Sequence, residues 1–487
     1  MHAVIRFGIL AVALSLSACG GGNDSPSTPV SAATVHAVTG TVNNVADSGL
    51  TLQSGAETIV VQKGASSFAF ASTIKEGADY SVTVVAHPAG QHCVVSNGTG
   101  KMAHDGAAEL DVSCHTLISK PTPVGVYPVA ADSHHGSRVF LPIAKVGAQA
   151  VTINAVLDTG SSGSLLYAPQ IFPDSVLGAD GFKFPEGKDT LTYKGIKVTK
   201  VTGYKEYGSG GEQKLEGNIG YAQMTIGAGS EVTTASVPIL LIRKRYIRGN
   251  DNQWVEYTDT LRNNMEDNIV GINTNVESVD ATAAGKLPAT SVPVVCKDVP
   301  QTQCGLLNAL RAYTHASGME SGFVLNAFKL QDCSIETPGS CQPQTALSLG
   351  VNDSISAAFK RVGLTCKNVV AADDQPLKTC EPYVSGTNTL IDGVSYPGSV
   401  MVDSGAPHVR LEVFVGSGAL PVLNPGKSVS LNFPGGFSYS YMTASSGPAT
   451  TSVSAGANAN VKSNAGIEFF MDHTILINFD RGEEGWK

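Results

Sequence analysis

The sequence predicts an all-β protein, and three observations support that fold class. Charged residues make up only 15% of the 487 residues while glycine numbers 53, which is typical of β-rich secreted proteins rather than of helical bundles. Apolar runs are short, many alternate with polar residues at the period of a strand, and Gly, Asn and Asp turns separate them. The chain is also longer than one hydrophobic core usually serves, so at least two domains or lobes are expected.

One helical pattern interrupts the strands. At 306–313 (LLNALRAY) the apolar residues recur at helical spacing before Gly318, so a helix is expected there. The formal net charge of -9 argues against nucleic acid as a partner, because a phosphate backbone attracts basic surfaces.

The first 18 residues predict a secretory signal peptide, with Arg6 followed by an apolar run from residue 7 to residue 16. The tetrad LSAC at 16–19 resembles the lipobox of bacterial lipoproteins, in which cleavage before the Cys leaves a lipidated first residue. The resemblance implies that acyl chains on Cys19 attach the protein to a membrane. The residue after Cys19 is Gly20 and not an Asp, and in the resembled Gram-negative lipoproteins this implies sorting to the outer membrane. An ordinary signal peptide with a chance Cys is the alternative.

The next segments predict a tether, a small domain and a linker. Residues 19–37 are rich in Gly, Ser, Pro and Asn, as in a flexible tether. Residues 38–114 predict a small β-sandwich, and the runs GQHCVVSNGTG at 90–100 and VSC at 112–114 resemble an immunoglobulin-like repeat of bacterial surface lipoproteins. Residues 115–124 contain two prolines and predict the linker to a large domain at 125–487. No segment after Cys19 has the roughly 18 uninterrupted apolar residues of a membrane span.

Eight cysteines follow Cys19, and an even number in an oxidising compartment predicts disulfides. Short loop closure favours pairing of sequence neighbours, although many other connectivities are possible. The expected pairs are Cys93–Cys114, Cys296–Cys304, Cys333–Cys341 and Cys366–Cys380. No C-x-x-C occurs, so the cysteines do not predict a metal site.

Two Asp-(Thr/Ser)-Gly turns form the candidate active site. VLDTGSSG at 156–163 places Asp158 directly after an apolar strand, and VMVDSG at 400–405 does the same for Asp403, 245 positions later (403 − 158). Two carboxyls about 3 Å apart cannot both ionise cheaply, so they share one proton. The ionised one can take a proton from water while the other polarises a scissile carbonyl. The hydroxyl of Thr159 or Ser404 could brace the opposite turn.

With these turns the chain resembles the pepsin-like aspartic proteases, over nearly all of 125–487. EYGSG at 206–210 and LEGNIGYAQMTIG at 215–227 look like the family's flap hairpin and following strand, with Tyr207 and Gly208 in the flap. NIVGI at 268–272 looks like the segment that passes behind the first aspartate, where Gly271 would permit close backbone approach. GIEFF at 466–470 and ILINFDR at 475–481 resemble the family's final strands.

The resemblance implies a bilobal domain with a cleft between an N-lobe at about 125–280 and a C-lobe at about 281–487. It implies an aspartic endopeptidase with a peptide or protein as substrate, and with Asp158 and Asp403 as its catalytic residues. The supporting residues would be Thr159, Gly160, Ser161, Ser404, Gly405 and Gly271. No cofactor and no metal are implied, and the oligomeric state is left open.

Several positions depart from the family pattern. In the family a Ser or Thr after each turn donates to the outer oxygen of its aspartate; Ser161 keeps that donor, but Ala406 does not. Losing a donor to a carboxylate raises its pKa. His408 and Arg410 bring cations where small or apolar residues are usual, and a cation near the pair would favour two ionised aspartates. Leu165 stands at about the place of the Trp that usually partners the flap tyrosine.

Two other functions stay open. The first is a catalytically inactive, pepsin-fold binding lipoprotein, motivated by Ala406, Pro407, His408 and Arg410. The second is that the small sandwich acts as an adhesion or spacer module and the large domain is mainly structural. Weaker candidate groups are interpreted as solvated loops rather than as metal, catalytic or polyanion sites: His134 and His135, and the basic stretch Arg243, Lys244, Arg245, Arg248 and Arg262.

Overall fold

A computed structural model of the chain describes residues 34–106, 110–132, 136–207, 213–249, 251–257, 268–275, 280–282, 306, 308–334, 337–370 and 376–487. The all-β prediction is confirmed, because these ranges contain 38 strands and one short α-helix, α1 (Asp353–Ser356). No helix in the described ranges has the length and apolar character needed to cross a membrane.

The amino-terminal part has eight strands in two sheets around one core that includes Val42, Leu52 and Phe70. The strands are β1 (Val35–Asn43), β2 (Leu50–Ser54), β3 (Glu57–Val61), β4 (Ser67–Lys75), β5 (Asp79–Ala86), β6 (Gln91–Ser96), β7 (Thr99–Lys101) and β8 (Leu110–Ile118). One sheet has the order β3-β2-β5-β7, and in the other β1 lies between β4 and β8, with β6 also paired to β8. Alternate residues of these strands are buried, as expected for sheets with one solvated face.

In the described ranges, the first half of the chain after Ile118 contains fifteen strands. They are β9 (Thr122–Val129), β10 (Arg138–Val146), β11 (Gln149–Asp158), β12 (Ser162–Tyr167), β13 (Leu177–Gly178), β14 (Gly181–Phe182), β15 (Thr190–Tyr193), β16 (Ile196–Tyr207), β17 (Gln213–Ala222), β18 (Met224–Ile226), β19 (Val232–Thr233), β20 (Val237–Arg248), β21 (Trp254–Glu256), β22 (Ile269–Ile272) and β23 (Asp280–Thr282).

The second half contains the other fifteen strands. They are β24 (Thr314–His315), β25 (Glu320–Leu325), β26 (Gln344–Val351), β27 (Lys360–Gly363), β28 (Cys366–Val370), β29 (Pro376–Cys380), β30 (Val384–Ile391), β31 (Val394–Met401), β32 (Val409–Val413), β33 (Ser428–Phe433), β34 (Phe437–Met442), β35 (Thr451–Ala455), β36 (Lys462–Asn464), β37 (Ile475–Asn478) and β38 (Glu483–Trp486).

Strand pairing joins the two halves. β9 pairs with β10 in the first half and with β26 in the second, so one network of strands runs through both. A separate seven-stranded sheet has the order β34-β33-β30-β31-β36-β32-β35. One continuous hydrophobic core reaches from Ile118 to Trp486.

The strands around the two Asp turns are paired in the same way. β22 is parallel to β11, which ends at Asp158, and antiparallel to β12, which follows the first turn. β36 is likewise parallel to β31, which leads to Asp403, and antiparallel to β32, which follows the second turn. Each turn therefore emerges from a strand whose backbone hydrogen bonds to a later strand hold it in place.

Strands extend beyond the segment limits expected from sequence. β1 begins at Val35, three residues before 38, because Val35 pairs with Lys75 of β4. β8 continues to Ile118, where it pairs with β24, and β9 begins at Thr122, so only residues 119–121 lie between these two strands.

The helix expected at 306–313 is wrong. Among the described residues of this segment, only a 3₁₀ turn, Ala309–Arg311, is present, and the Asn308 side chain caps it by accepting the Leu310 N–H at 2.7 Å. The apolar spacing has another cause: Leu306, Ala309 and Leu310 are all buried by tertiary packing. An Asn that bonds the backbone locally favours such a short capped turn over a helix interior.

The described residues contain three disulfides, Cys93–Cys114, Cys333–Cys341 and Cys366–Cys380, and these predicted pairs are confirmed. Cys93 and Cys114 face each other on β6 and β8, and Cys366 and Cys380 face each other on β28 and β29. The pair Cys296–Cys304 and the lipidation residue Cys19 lie outside the described residues.

Candidate active site

The two aspartates occupy matching positions on their turns. Asp158 and Asp403 are each only 8% exposed. The backbone N–H of Gly160 donates to Asp158 Oδ1 at 2.8 Å, and that of Gly405 donates to Asp403 Oδ1 at 2.8 Å. Each turn thus orients its own carboxyl by the same hydrogen bond.

Side-chain hydroxyls tie each turn to the other. Thr159 Oγ1 accepts the Ser404 N–H at 2.8 Å and donates to the Val402 carbonyl at 2.7 Å. Ser404 Oγ accepts the Thr159 N–H at 3.1 Å and donates to the Leu157 carbonyl at 2.6 Å. Four buried hydrogen bonds therefore set the separation of the two aspartates.

The two turn glycines leave space for the opposite carboxyl. A Cβ at Gly160 would overlap the carboxyl of Asp403, and a Cβ at Gly405 would overlap that of Asp158. The two carboxyls are close enough for the charge of Asp403 to raise the pKa of Asp158. The dyad expected from sequence is thus assembled from residues that are 245 positions apart (403 − 158).

The electrostatics of the pair favour a protonated Asp158. Burial raises its pKa well above the ordinary value, and the neighbouring Asp403 raises it further. The hydrogen bonds from Ser161 and from the Gly160 N–H act in the opposite direction. The pair therefore holds a proton at a pH where an isolated aspartate has lost it.

The outer oxygens of the two aspartates have different donors. Ser161 Oγ donates to Asp158 Oδ2, as the resemblance implied. At Asp403 the donor is Asn464 of β36, whose Nδ2 lies 2.6 Å from Asp403 Oδ2. Ala406 has no hydroxyl to offer, so Asn464 provides the hydrogen bond that the second turn itself lacks.

Sequence reasoning missed Asn464. It lies 61 positions after Asp403 and in no motif, and only the pairing of β31 with β36 brings it to the carboxyl. The one usable signal was the missing donor at Ala406, which indicated that a substitute was needed but not where it was.

The segment behind the first turn makes close backbone contact with it. A Cβ at Gly271 would lie 2.6 Å from the backbone nitrogen of Ser162, which is too close for any residue other than glycine. Asn273 adds two hydrogen bonds, from its N–H to the Ser161 carbonyl at 2.9 Å and from Nδ2 to the Gly160 carbonyl at 3.1 Å.

Tyr207 is the last residue of β16, which forms an antiparallel pair with β17. It is half-buried and packs against an apolar cluster that includes Leu165 and Leu215. Leu165, at about the place of the resembled family's tryptophan, therefore belongs to the same cluster as Tyr207. Gly208 lies outside the described residues.

The residues that depart from the pattern of the resembled family have surroundings of their own. A ring nitrogen of His408 lies 3.3 Å from the Gly447 carbonyl, Arg410 is exposed on β32, and Pro407 lies against Gly136. Neither His408 nor Arg410 is among the groups that shift the pKa of Asp158.

The weaker candidates fall into two groups. His134, His135 and Arg262 lie outside the described residues. The basic stretch at 243–248 belongs to the strand β20 rather than to a loop, and Lys244 forms an ion pair with Glu256 of β21 at 3.0 Å. This cross-strand ion pair stabilises the pairing of β20 with β21, so the prediction of a solvated loop at 243–248 is wrong.

The sequence matches no protein-family model and no curated protein. The geometry of the two turns is therefore the basis for assigning a function.

Proposed function

We propose that this chain is an aspartic endopeptidase of the pepsin-like type, in which Asp158 and Asp403 activate a water. The observation that carries the proposal is the reciprocal arrangement of the turns. Each buried carboxyl faces a glycine of the other turn, and the hydroxyls of Thr159 and Ser404 brace both turns. Such a pair has one proton to share and one charge to act as a base.

The reaction follows from that protonation state. The ionised carboxyl takes a proton from water as the water oxygen bonds to the scissile carbonyl carbon, while the protonated carboxyl donates to the carbonyl oxygen. The tetrahedral intermediate then collapses: the C–N bond breaks, and the amine leaves with a proton from the dyad. Burial of the pair supports this chemistry, because a low dielectric strengthens the interactions with the developing charges.

The inactive binding protein is the weaker alternative. It was motivated by the missing donor at Ala406 and by the charges of His408 and Arg410. Asn464 provides a donor to Asp403, the His408 ring lies against the Gly447 carbonyl, and Arg410 is exposed. These contacts favour a functional dyad over an abandoned one.

We also propose that the protein is exported and held in the outer membrane through lipidated Cys19. The lipobox-like tetrad at 16–19 and the disulfides support this location, since disulfides persist in oxidising compartments. Radiolabelled palmitate should enter the wild type but not Cys19→Ala. Equal labelling of both proteins would contradict the anchor.

The peptidase is tested with the lipid-free chain from Ser25 onward and a mixed peptide library, between about pH 3 and pH 7. Cleavage should be abolished by Asp158→Asn and by Asp403→Asn, and it should be blocked by a statine-type mimic of the tetrahedral intermediate. Asp105→Asn, in an exposed turn of the small domain, is the matched control and should keep full activity. A folded wild type without activity at every pH would favour the binding protein.

A further inference from the structure

We propose that Asn464 is a positioning residue that keeps Asp403 as the ionised member of the pair. Asp403 then takes the proton from water, and Asp158 donates to the scissile carbonyl. This inference rests on the proposed function and assigns the two roles within it.

The orientation of the Asn464 amide is determined by its two partners. The Gly466 N–H donates to Asn464 Oδ1 at 2.8 Å, so the amide oxygen faces the backbone of β36 and its continuation. The NH₂ group therefore faces Asp403 Oδ2, at 2.6 Å. An amide NH₂ donates hydrogen bonds and does not accept them.

Both oxygens of Asp403 thus face N–H donors, because Oδ1 also accepts the Gly405 N–H. A proton on Asp403 would turn one of these oxygens into a hydroxyl, which is a weaker acceptor than a carboxylate oxygen. Hydrogen bonds of this kind favour the charged form of the acid.

Asp158 has a different set of partners. Its Oδ1 accepts the Gly160 N–H, but its Oδ2 faces the hydroxyl of Ser161. A hydroxyl can rotate its hydrogen away from Oδ2, whereas an amide NH₂ can only donate, so the partners of Asp158 oppose its protonation less than those of Asp403 do. Burial and the charge of Asp403 both raise the pKa of Asp158, in agreement with this assignment.

The other titratable groups near Asp403 do not provide the same effect. Tyr383 stays neutral, because burial, and then the negative charge of Asp403, raise the pKa of its phenol. On β32, Arg410 is exposed, and a Glu412 carboxylate oxygen accepts the Lys462 N–H at 2.7 Å. The His408 ring lies against the Gly447 carbonyl.

The first test is the pH profile of kcat/KM for the purified full chain and Asn464→Leu. Activity should fall about tenfold to a hundredfold. On the acid side of the profile, kcat/KM rises as the general base Asp403 ionises. In Asn464→Leu this rise should move by about one pH unit to higher pH. Asn464→Leu/Ala406→Ser should return the acid side toward its wild-type pH, because position 406 follows Asp403 as Ser161 follows Asp158, and a hydroxyl there should donate to the same oxygen. An unmoved acid side in Asn464→Leu, or no return in the double variant, would overturn the proposal.

The second test needs no activity. Free energies of unfolding for the wild type, Asn464→Leu, Asp403→Asn and the double variant give the coupling between the two side chains. Because a hydrogen bond to a carboxylate is worth more when the acid is ionised, the coupling should be larger at about pH 7 than at about pH 3. A coupling that does not change with pH, or an equal one between Asn464 and Asp158, would contradict the assignment. If the coupling is found but no peptide is cleaved, the proposed function fails and the role of Asn464 stands.

Discussion

Thr159 and Ser404 each accept the other's backbone N–H on a side-chain oxygen, at 2.8 and 3.1 Å. The two residues are the middle positions of the two Asp turns, so one exchange fixes both turns relative to each other. The distance between the carboxyls therefore depends on hydroxyls as much as on the aspartates.

Replacing Thr159 by valine should weaken the hydrogen bonds that hold the two Asp turns together. The buried Ser404 N–H and the Val402 carbonyl would each lose a partner, at a cost of about 1–3 kcal/mol in the free energy of unfolding. kcat/KM should fall as well, because the aspartates lose their relative position. Thr192→Val, at an exposed site on β15, is the control for the chemical change. Equal effects of the two substitutions in denaturant unfolding and peptide cleavage would contradict the bracing role.

Adding one methyl group at Gly160 should separate the carboxyls. The new Cβ of Gly160→Ala would overlap the carboxyl of Asp403, so the turns must move apart and activity should fall by at least about a hundredfold. Gly363→Ala is the matched control, because a Cβ there meets nothing within 4 Å. Both variants should keep the circular dichroism spectrum of the wild type, and retained cleavage by Gly160→Ala would argue against a shared water.

Asp158→Asn should stabilise the protein increasingly as the pH rises. The pKa of Asp158 is raised above its ordinary value of 3.8, mainly by burial, so its protonated form stabilises the fold below that pH. This contribution is lost as the pH rises through the native pKa, and the amide does not lose it. Urea unfolding of both proteins from about pH 3 to pH 8 measures the difference. A difference that is constant over this range would contradict the raised pKa.

Ionisation of the buried Glu484 should cause a further loss of stability as the pH rises, in addition to the loss expected from Asp158. It is only 3% exposed, and burial raises its pKa to about 8, against the opposing hydrogen bond from Trp486 Nε1 at 3.0 Å. The free energy of unfolding of the wild type should therefore decrease as the pH rises from the ordinary pKa of a glutamate, 4.5, to about 8, because the buried acid is forced to ionise. In Glu484→Gln that decrease should be smaller, and thermal unfolding across the same range is the measurement. Parallel pH profiles for the two proteins would mean that Glu484 ionises without cost.

Much of this protein could be predicted from the sequence because the signals are local. Alternating apolar runs and turn residues determine strands over a few positions, which is why the all-β class is confirmed. Cysteines that are close in sequence close small loops, and three of the predicted neighbour pairs are bonded. The Asp turns are equally local, since each motif contains its aspartate, its glycine and its hydroxyl.

The sequence by itself thus determined the fold class, these disulfides and the two candidate carboxyls. The tertiary structure decided what surrounds them. Asn464 reaches Asp403 only through the pairing of β31 with β36. Residues 308–313 form a 3₁₀ turn and not an α-helix, because tertiary packing and not helical periodicity buries Ala309 and Leu310. The physical reason is common to both: contacts between distant positions arise from strand pairing and burial, and neither leaves a pattern within a few residues of the chain.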